Sequence, residues 1–163
     1  MLRLYSAALD RLDAAARWAV IAAMAGMISV VSMQVALRYL LNTSLDWSDE
    51  VSRLLFVWSI FLAIPLGIRE GAHVGIDLLV GRLPAAPKRW LSLAMSLAAA
   101  VVMAVLFYET VAVARETWDE NLPTLDVSTG WFLVAVAVCA AHSVLHLVQL
   151  AWRAPGRIVA VIE

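Results

Sequence analysis

The chain of 163 residues has little of what enzymes and nucleic-acid-binding proteins depend on. Its single cysteine, Cys139, can form no disulfide within the chain, so cysteine usage says nothing about the redox compartment. Charged residues make up only 15% of the sequence, the formal net charge is -1, and no basic cluster is present. Nucleic acid is therefore not an expected partner.

Catalytic motifs are missing as well. The sequence contains no glycine-rich phosphate loop, no nucleophile elbow and no cluster of cysteines, and its apolar stretches contain no pair of carboxylates. We predict that the chain is not an enzyme and that it has no bound cofactor or metal.

Apolar sequence, in contrast, is abundant. Hydrophobic residues make up 63% of the chain, and the mean hydropathy is +0.85. They form four long stretches, at residues 18–41, 51–68, 90–113 and 131–152. As a helix, even the shortest would reach about 27 Å, close to the ~30 Å hydrocarbon core of a bilayer. We predict one all-α integral membrane domain over residues 1–163, with four transmembrane helices.

The distribution of basic residues predicts the orientation of these spans. Of the twelve, nine lie before the first span, between the second and third, or after the fourth. Only Arg38, Arg53 and Arg115 lie at the opposite ends. Because basic residues beside spans are retained in the cytoplasm, we expect both termini to be cytoplasmic.

Two further segments have the pattern of interfacial amphipathic helices. In residues 1–16, apolar side chains (Leu2, Tyr5, Leu9, Leu12, Ala16) fall on one helical face, and Arg3, Asp10, Asp13 and Arg17 fall largely on the other. A frayed polar leader is the alternative. Residues 73–83 form the second such segment, which ends before Pro84.

Some polar residues and one proline lie within the spans. Pro65 predicts a kink or an early end of the second span. His142 and His146 are four residues apart and share a helical face. Three interpretations stay open for them: hydrogen bonds to neighbouring helices, a haem or metal ligand pair, and a proton relay. We favour the first.

The order of several short motifs resembles the small membrane subunit of tripartite ATP-independent periplasmic (TRAP) transporters. The first outer connector and second span contain Arg38-Tyr39, Asn42, Trp47, Ser48-Asp49-Glu50, Arg53, Trp58 and Gly67. The middle connector resembles the Arg-x-Gly-x-His signature of that family through Arg69, Gly71, His73, Val74 and Asp77. Leu122-Pro123 before Gly130-Trp131 resembles its entry to the fourth span. The resemblance covers about residues 15 to 152.

This resemblance implies a non-catalytic subunit of a secondary transporter in the bacterial inner membrane. In that family, a periplasmic solute-binding protein delivers an organic anion, often a carboxylate, to a large multi-span subunit. The large subunit carries the sodium and substrate sites, and the small subunit packs beside it as a scaffold. We therefore expect a large membrane subunit, a periplasmic binding protein and membrane lipids as partners.

Seven charged or polar positions are candidates for subunit contacts or structural pairing: Arg38, Asp49, Glu50, Arg53, Arg69, His73 and Asp77. Arg53 follows Asp49 and Glu50 at helical spacing, so we expect pairing within the chain there. Arg69, His73 and Asp77 would share one polar face if their segment is helical.

Two other functions compete with this interpretation. A haem- or quinone-binding membrane anchor of a redox enzyme would use His142 or His146. A free-standing assembly or channel-forming protein would need no partner. The transported substrate cannot be derived from the sequence, because in the implied system other subunits bind it.

Overall fold

The computed structural model describes residues 2–69 and 85–153, which form four α-helices. These are α1 (Leu2–Leu41), α2 (Ser48–Arg69), α3 (Ala85–Glu116) and α4 (Gly130–Arg153). All four are long and apolar enough to cross a membrane. The prediction of an all-α protein with four membrane-spanning helices is confirmed. The predicted interfacial segment at residues 73–83 lies outside the described residues.

The first helix differs from its prediction. It runs for 40 residues without interruption, so residues 2–16 continue directly into the predicted first span. No glycine or proline precedes Gly26, so nothing in the sequence breaks the helix near residue 17. At 1.5 Å per residue it is about 60 Å long, twice the thickness of a hydrocarbon core. It ends at Leu41, after which Asn42 adopts a left-handed conformation with φ of 49°.

The second helix does not end early at Pro65. The helix continues through Pro65 and ends about one turn later, at Arg69. Proline removes one backbone donor, but a helix in a membrane can tolerate that loss where neighbouring groups satisfy the freed carbonyl. Pro65 is fully buried in this position.

The most extensive packing contacts place the helices in a row in the order α1, α2, α4, α3, and side chains near the start of α1 also reach α4. Extensive contacts join α1 to α2, α2 to α4 and α4 to α3 within the described ranges. Consequently α4 is the most buried helix, and small side chains at Ala135, Ala140 and Ser143 let its neighbours approach closely. The edge helices α1 and α3 leave large apolar side chains exposed, which suits contact with lipid or another protein.

A structured connector joins α3 to α4 over residues 117–129. Within it, an isolated antiparallel bridge joins Asn121 to Ser128, and Leu122 is buried. Gly130 then begins α4 in close contact with Trp118. We call this end of the row, where α1 ends and α2 begins, the connector end. The opposite end, where α1 begins and α2 ends, is the histidine end.

Candidate functional site

A cluster of charged and polar side chains from three helices occupies the histidine end. On α1, Leu9, Asp13 and Ala16 recur at helical spacing and are all buried. This face points towards α4, where His142 and His146 lie one turn apart. Asp13, at 1% exposure, is therefore on the buried face of α1, and its predicted place on the polar face is wrong.

Asp13 and the two histidines meet through one atom each. The distances from Asp13 Oδ1 to His142 Nε2 and to His146 Nε2 are both 2.8 Å. The two Nε2 atoms lie 3.1 Å apart. This geometry places both histidines within hydrogen-bond distance of a neighbouring helix, as the first of the three interpretations predicts. Asp13 is the partner that the sequence analysis did not identify.

Arg69 adds the third helix to the cluster. Its guanidinium donates from Nη1 to Asp13 Oδ2 and from Nη2 to Asp10 Oδ1 at 2.6 Å. The Asp10 side chain is 60% exposed and that of Asp13 only 2% exposed. Both oxygens of Asp13 are therefore engaged, Oδ1 by α4 and Oδ2 by α2, and the single carboxylate links α1, α2 and α4.

A further hydrogen bond fixes the beginning of α1 on the same neighbour. The hydroxyl of Tyr5 donates to the backbone carbonyl of Leu145, at 2.8 Å. Tyr5 and Asp13 lie two helical turns apart on α1, so the two contacts together hold about the first 13 residues of α1 against α4.

The connector end has its own buried carboxylate, Glu50, which is 7% exposed. Its two oxygens accept the backbone N–H of Thr124 at 3.0 and 3.2 Å. The Thr124 hydroxyl donates to the carbonyl of Asp46 at 3.4 Å, and Gln34 of α1 donates to Asp49 at 3.2 Å. These contacts join both connectors of this end to the start of α2.

The structure thus separates the candidate residues. Arg69 belongs to the histidine cluster, and Asp49 and Glu50 belong to the connector end. Arg53 forms no ion pair with Asp49 or Glu50 within the described residues, so the predicted pairing is wrong: Thr124 and Gln34 bind those carboxylates instead. Arg38 and Arg53 are exposed. His73 and Asp77 lie outside the described residues.

Sequence reasoning missed Asp13, Asp10 and Thr124 as partners. A signal for Asp13 existed, because it falls four residues after Leu9 and three before Ala16, on the apolar side of the helix. Thr124 offers no such signal, since its backbone N–H and not its side chain binds Glu50.

Comparison with known proteins shows the family to which this chain belongs. Residues 27–155 match the family model described as tripartite ATP-independent periplasmic transporters, DctQ component. The chain belongs to this family. The matched range contains α2, α3, α4, both connectors and only residues 27–41 of α1.

Individual relatives agree with the family match. A TRAP transporter small permease protein of Haemophilus influenzae is 28% identical over 138 residues, which cover 85% of this chain and 83% of the relative. The sialic acid TRAP transporter small permease protein SiaQ of Vibrio cholerae is 30% identical over 131 residues, covering 77% and 73%. The C4-dicarboxylate small permease DctQ of Rhodobacter capsulatus is 48% identical over 46 residues, covering 28% of this chain and 20% of the relative.

The family and the four apolar helices together identify a multi-pass protein of the bacterial inner membrane, a small permease subunit of a TRAP transporter. These relatives give no support to the redox-anchor alternative.

Proposed function

We propose that this chain is the non-catalytic scaffold of a sodium-coupled TRAP transporter, packed beside a large membrane subunit that binds ion and substrate. The match to the small-permease family over residues 27–155 carries the proposal. A relative of Oleidesulfovibrio alaskensis named isethionate TRAP transporter permease protein DctMQ supports a larger partner, because the 70 residues matched make up only 11% of it.

The substrate class in this proposal is an organic anion delivered by a periplasmic binding protein, with a carboxylate favoured. Two of the relatives named above are sialic acid and C4-dicarboxylate permeases, and both of those substrates carry carboxylates. Isethionate, in the name of a third, is an organic anion with a sulfonate. The small permeases also include one named for ectoine, which shows that membership of the family does not by itself fix the solute.

Two exposed arginines at the connector end are proposed contacts for a partner. Arg38 lies in the last turn of α1 and Arg53 near the start of α2. Neither forms an ion pair with another described residue, so both guanidinium groups are available to acidic side chains of the large subunit or the binding protein.

Co-purification tests the partnership. A tagged chain should retain the large subunit in mild detergent, and Arg53→Gln should reduce either this retention or substrate uptake. Arg17→Gln removes the same charge from an exposed position of α1 at the other end of the row and should alter neither. A tagged chain that never retains the large subunit would contradict the proposal, and a haem absorption band in the purified protein would favour the redox alternative.

A further inference from the structure

Asp13, His142 and His146 bring one carboxylate oxygen and two ring nitrogens into mutual contact, and protons alone cannot satisfy all three contacts. Each imidazole Nε2 has one position in the ring plane, and that position holds either a proton or a lone pair. The three atoms nevertheless lie pairwise within 2.8–3.1 Å of one another.

While Asp13 is ionised, no arrangement of protons on the two rings turns all three contacts into hydrogen bonds. If both Nε2 atoms are protonated, both donate to Asp13 Oδ1, and no hydrogen bond joins the two nitrogens, which lie 3.1 Å apart. If only one is protonated, the lone pair of the other faces the carboxylate oxygen. The second oxygen of Asp13 accepts a hydrogen bond from Arg69, so only Oδ1 faces the two histidines.

A cation between the three atoms removes the conflict, because all three then present lone pairs to it. Two imidazole nitrogens and one carboxylate oxygen form a donor set that binds zinc and neighbouring divalent transition ions. His142 and His146 are four residues apart on one helix, a spacing that lets two imidazoles bind one metal. Zinc bonds of about 2.1 Å in a tetrahedral site require ligand atoms about 3.4 Å apart, so the contacts of the cluster would lengthen by about 0.3 to 0.6 Å.

The surroundings also favour a bound cation. All three ligands are buried, at 1% to 4% exposure, which excludes competing water. Arg69 holds the second oxygen of Asp13 and so fixes the orientation of the first, as outer partners of metal ligands commonly do. With neutral imidazoles, Asp10 and Asp13 against Arg69 leave one net negative charge at the site.

We infer that Asp13, His142 and His146 form a binding site for a divalent transition ion of the zinc class. The ion would join the beginning of α1 to the second half of α4, and Arg69 would extend this connection to α2. The inference goes beyond the proposed scaffold role and replaces the prediction from the sequence that the chain has no bound metal.

The test is metal binding by the full chain, purified in detergent with a tag that contains no histidine. After treatment with a chelator, Co²⁺ should bind with a stoichiometry of about one per chain and produce visible d–d absorption. Zn²⁺ should displace the cobalt and abolish that absorption. Absence of stoichiometric Co²⁺ and Zn²⁺ binding by the folded wild-type chain would overturn the inference.

Matched variants locate the site. Asp13→Asn and His146→Gln should each weaken cobalt binding by about a hundredfold or more, beyond the 10- to 100-fold loss typical for an outer partner. Asp10→Asn, which also removes a carboxylate from Arg69, and His73→Gln, which alters the third histidine of the chain, should each leave the cobalt spectrum unchanged. Equal loss in Asp10→Asn and Asp13→Asn would overturn the assignment.

Thermal unfolding of the wild type tests metal binding even if the Asp13 variant does not fold. Zinc should raise the unfolding temperature of the chelator-treated wild type, because an ion that binds only the folded state stabilises it. The increase should be absent in His142→Gln. An unfolding temperature that does not respond to zinc in the wild type would contradict the inference.

Discussion

The two ends of the helix row each bury one carboxylate, but they satisfy it in different ways. At the histidine end, Asp13 receives its hydrogen bonds from side chains of two other helices. At the connector end, Glu50 receives them from the backbone N–H of Thr124. The hydrogen bonds to a buried carboxylate in this fold thus depend on helix packing at one end and on the conformation of a connector at the other. Substitutions should therefore disturb the packing of three helices at the histidine end and only the connectors at the other.

Asp13→Asn should have the largest effect. The substitution removes the charge that Arg69 and both histidines share, and leaves buried polar groups without their partner. Loss of one partner from a buried charged pair typically costs about 3–5 kcal/mol. Thermal unfolding in detergent, followed by size-exclusion chromatography, should show a large loss of folded protein. A variant as stable as the wild type would show that the cluster does not connect the three helices.

The sequence was sufficient for the architecture but not for this connection. The four spans follow from the length and composition of the apolar stretches, and both are local properties. The partners of Asp13 lie 56 residues away at Arg69 and 129 and 133 residues away at the histidines. Periodicity identifies the face of α1 on which Asp13 lies, but it does not say which helix that face meets.

Glu50→Ala should have the second largest effect, confined to the connector end. It removes the acceptor for the Thr124 N–H, and an unsatisfied buried donor costs about 1–3 kcal/mol. Hydrogen exchange at the Thr124 amide should accelerate, while amides near Asp13 keep the wild-type rate. Glu50→Gln retains a carbonyl oxygen and should preserve part of the protection. Equal acceleration at both ends would contradict the independence of the two regions.

Gly130→Ala should cost somewhat less, within the about 1–3 kcal/mol typical of overpacking. A Cβ at residue 130 would lie 2.7 Å from Trp118 Cε3. The Trp118 ring, whose centroid is 6.1 Å from that of Trp131, must move. Tryptophan fluorescence should change and the unfolding temperature should fall.

Gly67→Ala is the matched control for this substitution. A Cβ at residue 67 meets no described atom within 4 Å, so the change should be neutral or stabilise α2 slightly through helix propensity. If both alanine variants lost the same stability, contact with Trp118 would not be the reason.

Asp10→Asn should have the smallest effect. The Asp10 side chain is 60% exposed, and an exposed ion pair contributes only about 0–1 kcal/mol. The unfolding temperature should therefore stay close to that of the wild type, and any difference should shrink at high salt. A loss comparable with that of Asp13→Asn would mean that the Arg69 contact on the exposed side stabilises the row as much as the buried one.

Solute uptake into reconstituted vesicles tests the central claim most directly, namely that this small permease subunit supports transport by a larger one. Vesicles would contain the large subunit with or without this chain, with the binding protein outside and an inward sodium gradient. Labelled C4-dicarboxylate and sialic acid would serve as solutes. We predict uptake of one of them only when all three proteins are present, and none by this chain alone. Uptake by vesicles that contain only this chain, or full uptake without it, would contradict the account.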